Sequence, residues 1–169
     1  AVVDGTLFAA LSEHLYAVDA ATGEERWRTP LTGRKGPASS PLVDGDRVFL
    51  QQNHLSDFDR KTGEEVWTNK EVKGANPSPA VWKEVIICNT NRALIGVDRE
   101  SGATLWSVTG GGDGTPVVAG DHVIISSKNE DKNLITYELT SEGPIEKWSR
   151  QFLARRYGST PIVYRDHVY

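Results

Sequence analysis

The chain has no methionine and a single cysteine among its 169 residues. One cysteine excludes an intramolecular disulfide, and because Cys88 follows Val85-Ile86-Ile87 it reads as a small buried apolar residue rather than a reactive thiol. No apolar run approaches the roughly 18 residues a membrane-crossing helix needs. The start, Ala1-Val2-Val3-Asp4, resembles neither a signal peptide nor an initiation site, so the sequence reads as a piece of a longer protein. Excess positive charge is lacking too: 19 Lys and Arg against 23 Asp and Glu give a net charge of -4, and nothing in that balance points to nucleic acid. Nucleophile elbow, Walker loop, zinc spacing and EF-hand are all missing; Asn129-Glu130-Asp131-Lys132-Asn133 is polar but lacks the glycine and closing glutamate of a calcium loop. No catalytic, cofactor-binding or metal-ligating residue is therefore assigned from motifs.

What the chain does have is a repeat. Ala17-Val18-Asp19-Ala20-Ala21-Thr22-Gly23-Glu24-Glu25-Arg26-Trp27 recurs as Asp59 to Trp67 and again as Asp98 to Trp106, and a worn copy runs from Glu142-Gly143 to Trp148. The tryptophans are separated by 40, 39 and 42 residues, a beat that suits four short strands with tight turns. A second module keeps the same phase: Ser40-Pro41, Ser78-Pro79, Thr115-Pro116 and Thr160-Pro161, each followed by apolar residues. Each unit reads as strand A after Ser/Thr-Pro, a turn at Asp-Gly-Asp, strands B and C, a Thr-Gly turn, and strand D through the tryptophan. Proline suits the first residue of a strand, where no ladder donor is needed. Aligning Val2-Val3-Asp4-Gly5 with Leu42-Val43-Asp44-Gly45 opens the chain inside a strand A. The expected fold is all-β, a β-propeller fragment of four four-stranded antiparallel blades plus the start of a fifth. Blades are expected at about 1-29, 39-69, 78-108 and 115-150, with the fifth beginning at 160-169.

Gly23, Gly63, Gly102 and Gly143 fall where the hairpin demands positive φ, and Asp19, Asp59 and Asp98 are placed to cap the turn amides. Trp27, Trp67, Trp106 and Trp148, once per unit, are expected to wedge between neighbouring sheets with buried rings and with indole N–H groups satisfied by backbone. Similar periods occur in WD40 and kelch units, but their Gly-His/Trp-Asp and Gly-Gly signatures do not recur here.

These residues resemble the quinoprotein tryptophan-docking motif, Ala-x-Asp-x-x-Thr-Gly-x-x-x-Trp, which Ala17 to Trp27 matches at every defined position. The resemblance covers the whole chain and is specific for the fold rather than the activity. It implies a pyrroloquinoline-quinone (PQQ)-like propeller, a group that includes PQQ-dependent alcohol dehydrogenases and the outer-membrane assembly lipoprotein BamB. The reading it favours is a non-catalytic binding or scaffold module similar to BamB, needing no cofactor. The alternative is part of a PQQ- and calcium-dependent alcohol or sugar dehydrogenase, although that group's adjacent cysteine pair is missing. By the same resemblance the compartment is the bacterial periplasm or cell surface, and the remaining blades lie in the parent protein.

A function would sit on loops. Arg28, Arg34, Lys35, Lys70, Lys73, Arg92, Lys128, Lys132, Arg150, Arg155 and Arg156 fall on the D-to-A and B-to-C face, against only Glu13, Glu71, Asp113, Glu130 and Asp131. That face is expected to meet a protein or an anionic ligand. The candidate binding residues are Arg34, Lys35, Arg92, Phe152, Arg155, Arg156 and Tyr157, the last four combining aromatics with arginine as interaction hot spots do. His14 and His54 match in position, as do His122 and His167, but neither pair has a third ligand in view.

Overall fold

The computed structural model describes residues 1–11, 13–31, 39–74, 77–129, 131–152, 159–165 and 167–169. Among them every regular element is a strand. The first sheet comprises β1 (Val2–Val3), β2 (Thr6–Leu11), β3 (His14–Asp19) and β4 (Glu25–Pro30). The second comprises β5 (Leu42–Asp44), β6 (Arg47–Gln52), β7 (His54–Asp59) and β8 (Glu65–Asn69). The third holds β9 (Ala80–Trp82), β10 (Val85–Asn89), β11 (Ala93–Asp98) and β12 (Thr104–Thr109), and the fourth β13 (Val117–Ala119), β14 (His122–Ser126), β15 (Leu134–Thr140) and β16 (Gly143–Arg150). β17 (Val163–Tyr164) and β18 (His167–Val168) pair as a two-stranded sheet. Within each sheet the strands run antiparallel in chain order. These are four blades and the start of a fifth of a β-propeller. Residues 1–76 and 77–169 form two compact units, each described by itself.

Each unit buries its apolar residues between sheets. In the first, Phe8, Leu15, Val48, Leu50 and Phe58 form the core; in the second, Trp82, Ile87, Leu94, Ile125, Ile135 and Leu139 do so. Both faces of the central strands B and C are covered, so β6, β7, β10 and β11 read as nearly continuous buried runs instead of alternating ones.

The A-to-B hairpins correct the sequence alignment by one residue. Val3 pairs with Thr6 and Asp44 with Arg47, so the two-residue turns are Asp4-Gly5 and Gly45-Asp46, and Val3 rather than Asp4 corresponds to Asp44. The first turn residue has positive φ in Asp4 (48°), Gly45 (58°), Lys83 (52°) and Gly120 (59°), as a two-residue hairpin requires.

The C-to-D turns are closed from within. Asp19 Oδ1 accepts from the Ala21 and Thr22 amides at 3.0 and 2.9 Å, Asp59 Oδ1 from those of Lys61 and Thr62 at 2.8 Å, and Asp98 Oδ1 from Ser101 at 2.8 Å. Gly23, Gly63 and Gly102 then turn the chain at φ 72–76°. The fourth hairpin departs from this plan. Thr140 pairs with Gly143, so its turn is the shorter Ser141-Glu142, and Glu138 occupies the place of the capping aspartate.

Every strand D carries a β-bulge one residue before its tryptophan. Ala17 faces Trp27 while Val18 faces Glu25, and the same skip leaves out Val66, Leu105 and Lys147 in the later blades. The bulged residue and the turn acid pair where charge allows: Arg26 Nη2 bonds Asp19 Oδ2 at 2.8 Å, and Lys147 Nζ bonds Glu138 Oε2 at 2.9 Å.

Past the bulge, the tryptophan reaches the next sheet. Trp27 Nε1 donates to the Arg60 carbonyl at 3.0 Å, and a carbon added at Gly63 would lie 2.6 Å from the Trp27 ring. Thr29 Oγ1 completes the contact by donating to the Gly63 carbonyl at 2.5 Å. In the second unit Trp106 covers Gly96 of its own blade and lies beside Gly143 of the next. The rings are less buried than the sequence suggests: Trp27, Trp67 and Trp106 are half-buried, and Trp148 is 36% exposed, with no C-to-D turn of a fifth blade beside it among the described residues.

The Ser/Thr-Pro module also links strands across blades. Ser78 N–H donates to Thr115 Oγ1 at 3.1 Å, and Thr115 N–H to Thr160 Oγ1 at 3.2 Å. The Thr115 and Thr160 hydroxyls, each just before a proline, thus accept from the preceding blade's backbone.

Gly23 and Gly63 share a backbone conformation but differ in surroundings, since an added carbon at Gly23 meets nothing within 4 Å. Gly23→Ala is expected to cost about 1 kcal/mol for its positive φ, and Gly63→Ala a further ~1–3 kcal/mol for displacing the indole. Urea unfolding of both variants checks this, and equal losses would mean that Trp27 does not press on the turn.

Hydrogen bonding by Arg26 for Asp19, by the Thr62 amide for Asp59 and by the Ser101 hydroxyl for Asp98 holds these carboxyls below the ordinary value. With folded values depressed, their stabilisation is complete above the unfolded value of about 3.9 and is lost as pH falls through the folded ones. Thermal melts between pH 6 and pH 2 should show a shallower acid loss for Asp59→Asn than for the parent chain; parallel curves would remove Asp59 from the acid response.

Candidate functional site

The D-to-A and B-to-C loops of the second unit are anchored by buried amides at strand ends. Asn89, fully buried at the end of β10, accepts from the Gly111 amide at 3.3 Å and donates to the Gly114 and Ser126 carbonyls at 3.0 and 3.3 Å. The loop packs so closely that a carbon added at Gly111 would lie 2.7 Å from the Asn91 carbonyl. Glycine is required there by contact, not only by its φ of 99°.

A second amide performs the same task one blade later. Asn133, just before β15, accepts from the Phe152 amide at 2.8 Å and donates to the Phe152 carbonyl at 2.5 Å. Both backbone groups of Phe152 are thereby tied to the blade while its side chain is 56% exposed. An aromatic on a backbone fixed in this way loses little further freedom on meeting a partner.

Of the candidate binding residues, Arg92 and Phe152 are described, and both are exposed. Arg92 follows Thr90, whose Oγ1 accepts from the Arg92 and Ala93 amides at 3.3 and 3.0 Å and shapes the B-to-C turn. Arg34, Lys35, Arg155, Arg156 and Tyr157 lie outside the described residues.

The basic character expected of this face is partly offset. Lys128 Nζ bonds Asp113 Oδ1 at 3.0 Å and reaches Asn91 Oδ1 at 3.4 Å, and Lys132 Nζ bonds both Glu146 oxygens at 2.8 and 2.9 Å. Glu146 belongs to β16 and so reaches Lys132 from a strand rather than from a loop. Lys132 in turn lowers the Glu146 carboxyl.

Sequence reasoning missed Trp82, the one tryptophan outside the repeat. It ends β9, is 9% exposed, and donates from Nε1 to Asp121 Oδ1 in the next A-to-B turn at 2.9 Å. Lys83 lies 4.2 Å from its ring centre and 3.3 Å from Asp121, so indole and ammonium together hold the Asp121 carboxyl below its usual range. A bulky aromatic at the position of Asp44 and Ala119 was the available signal.

His14 lies 5.7 Å from the Tyr16 ring, and His167 Nδ1 is 2.7 Å from the Arg165 carbonyl. Among the described residues no three His, Cys, Asp or Glu side chains converge in a way that could hold a metal ion. Cys88 is enclosed in β10, where burial pushes its thiol up, away from the reactive thiolate.

Solved structures with this fold carry different activities. BamB from Moraxella catarrhalis is 18% identical with a TM-score of 0.69, covering 88% of this chain and 46% of that one. Quinohemoprotein alcohol dehydrogenase from Comamonas testosteroni is 15% identical with a TM-score of 0.72, covering 99% and 38%. A chain of the mitotic checkpoint complex reaches 0.80 at 11% identity, covering 95% and 54%. The chain spans about half the length of these proteins or less, and at such identities the likeness shows the fold alone. No curated protein matches the sequence. A family model described as outer membrane protein assembly factor BamB matches residues 1–169, and with the repeated turn-and-tryptophan architecture the chain belongs to that family of PQQ-like repeat propellers.

Proposed function

We propose that the chain is part of a non-catalytic binding or scaffold propeller of the bacterial periplasm or cell surface, whose D-to-A and B-to-C loops meet a protein partner. The observation that carries this reading is Phe152, more than half exposed on a backbone that Asn133 ties down at both amide and carbonyl. It heads the segment containing Arg155, Arg156 and Tyr157, so an exposed aromatic anchor leads directly into arginine donors. The family match supports the scaffold reading, and the reading requires no cofactor.

The second reading is a fragment of a PQQ- and calcium-dependent dehydrogenase, since quinohemoprotein alcohol dehydrogenase shares the fold. The two differ in what they require. A dehydrogenase needs quinone and calcium bound elsewhere in the parent, whereas a scaffold needs only its loops.

With PQQ and Ca²⁺ supplied to the intact parent protein, dye-linked alcohol oxidation is expected to stay at background. A photo-cross-linker at position 152 is expected to form one discrete protein adduct, reduced about tenfold or more by Arg155→Glu with Arg156→Glu. Quinone-dependent turnover would establish the dehydrogenase instead, and cross-linking indifferent to the arginines would remove this loop from the partner surface.

A further inference from the structure

The opposite end of the first unit holds a cleft of about 370 Å³ between its two blades. Trp27 gives it an apolar wall, and the Phe8 ring, buried in the core, lies 5.9 Å from that indole. Arg26, Arg60, Lys61, Thr6, Gly45 and Asp46 also line it. The volume lies near the lower end of the range for small-molecule sites, about 300–1,000 Å³.

Both guanidinium groups are held in place. Arg26 Nη1 donates to Thr6 Oγ1 at 2.5 Å and Nη2 to Asp19 at 2.8 Å, while Arg60 Nη1 donates to the Gly45 carbonyl at 2.9 Å and Nη2 to Asp4. Each arginine has five N–H donors, so both retain donors beyond these bonds. Asp19 and Asp4 balance the two charges. What a ligand meets is therefore fixed donor geometry, with the Lys61 cation offset by the Asp46 carboxylate.

The internal repeat shows that this polarity is not a demand of the fold. Arg26 and Leu105 occupy the same bulge, and Thr6 and Val85 both begin strand B. The amides of Arg60 and Leu139 both donate to the carbonyl of the second A-to-B turn residue, Asp46 or Asp121. Arg99 of the third blade makes the same bond to Glu84, but between the two blades of the second unit the matching positions are apolar: Leu139 is 4% exposed, and Val85 and Trp106 pack against its cluster. The first unit has placed two arginines and a threonine where its sibling has Leu105, Leu139 and Val85.

We propose that this inter-blade cleft binds a small organic carboxylate with a flat apolar body, the carboxylate bridging Arg26 and Arg60 and the body resting on Trp27. Guanidinium matches carboxylate in planarity and donor spacing, and the indole offers the face that a flat body needs. The site lies on the A-to-B and C-to-D turn side and is independent of the partner surface proposed above.

The test is a titration of the ¹⁵N-labelled chain with benzoate, followed by the Trp27 indole N–H resonance, with benzamide as the neutral counterpart. Benzoate is expected to shift that resonance saturably and benzamide not to. Arg26→Leu and Arg60→Leu, made separately, install the sibling blade's residues and are each expected to weaken benzoate binding at least tenfold, the other four indole signals reporting that the fold persists. If one variant unfolds, the other decides, and if both do, the contrast between benzoate and benzamide decides. No saturable shift, equal response to benzamide, or folded leucine variants that bind as the parent does would each overturn the proposal.

Discussion

A tryptophan ring laid against the hairpin turn of the next sheet is the contact on which the rest of this architecture depends. A single four-stranded meander exposes both faces and cannot bury a core alone; two such sheets can, if something fixes how they face one another. Trp27 does so by joining two unlike interactions, a directional bond to the Arg60 carbonyl and close packing on Gly63. The turn must therefore be rigid before the ring arrives. The aspartate that caps it from within supplies that rigidity, and because this bond is local, every unit can carry it whatever its neighbours are.

Much of this was legible because the same solution is written several times. Repetition at about 40 residues separates what the blade needs from what varies, and the turn aspartates, the glycines and the tryptophans emerged together. Less visible were features that depend on register. The alignment of the first blade with the second slips by one residue because Asp-Gly and Gly-Asp are both good hairpin turns, and only pairing decides between them. The bulges were hidden because any residue type can occupy them, as Arg26, Val66, Leu105 and Lys147 do.

Two further features escaped for reasons of chemistry. Proline at the strand start drew attention to its ring, whereas the hydroxyl just before it makes the bond between blades. The loop face read as basic because its partners were counted along the loops alone, and Glu146 reaches Lys132 from a strand. Phe152 was recognised by composition, but its outward presentation follows from Asn133, nineteen residues away in sequence.

The bulges have a consequence for how such chains coexist at high concentration. Strand D is the outer margin of each blade, and an unbroken margin would present an even row of amide donors and carbonyl acceptors, a template for any extended chain that drifted past. One extra residue ahead of each tryptophan breaks that row and increases the local twist. The residue that orients the ring inward toward the next blade also spoils the outward face for recruitment. The same extra residue thus serves the blade twice, once toward its neighbour and once at its margin.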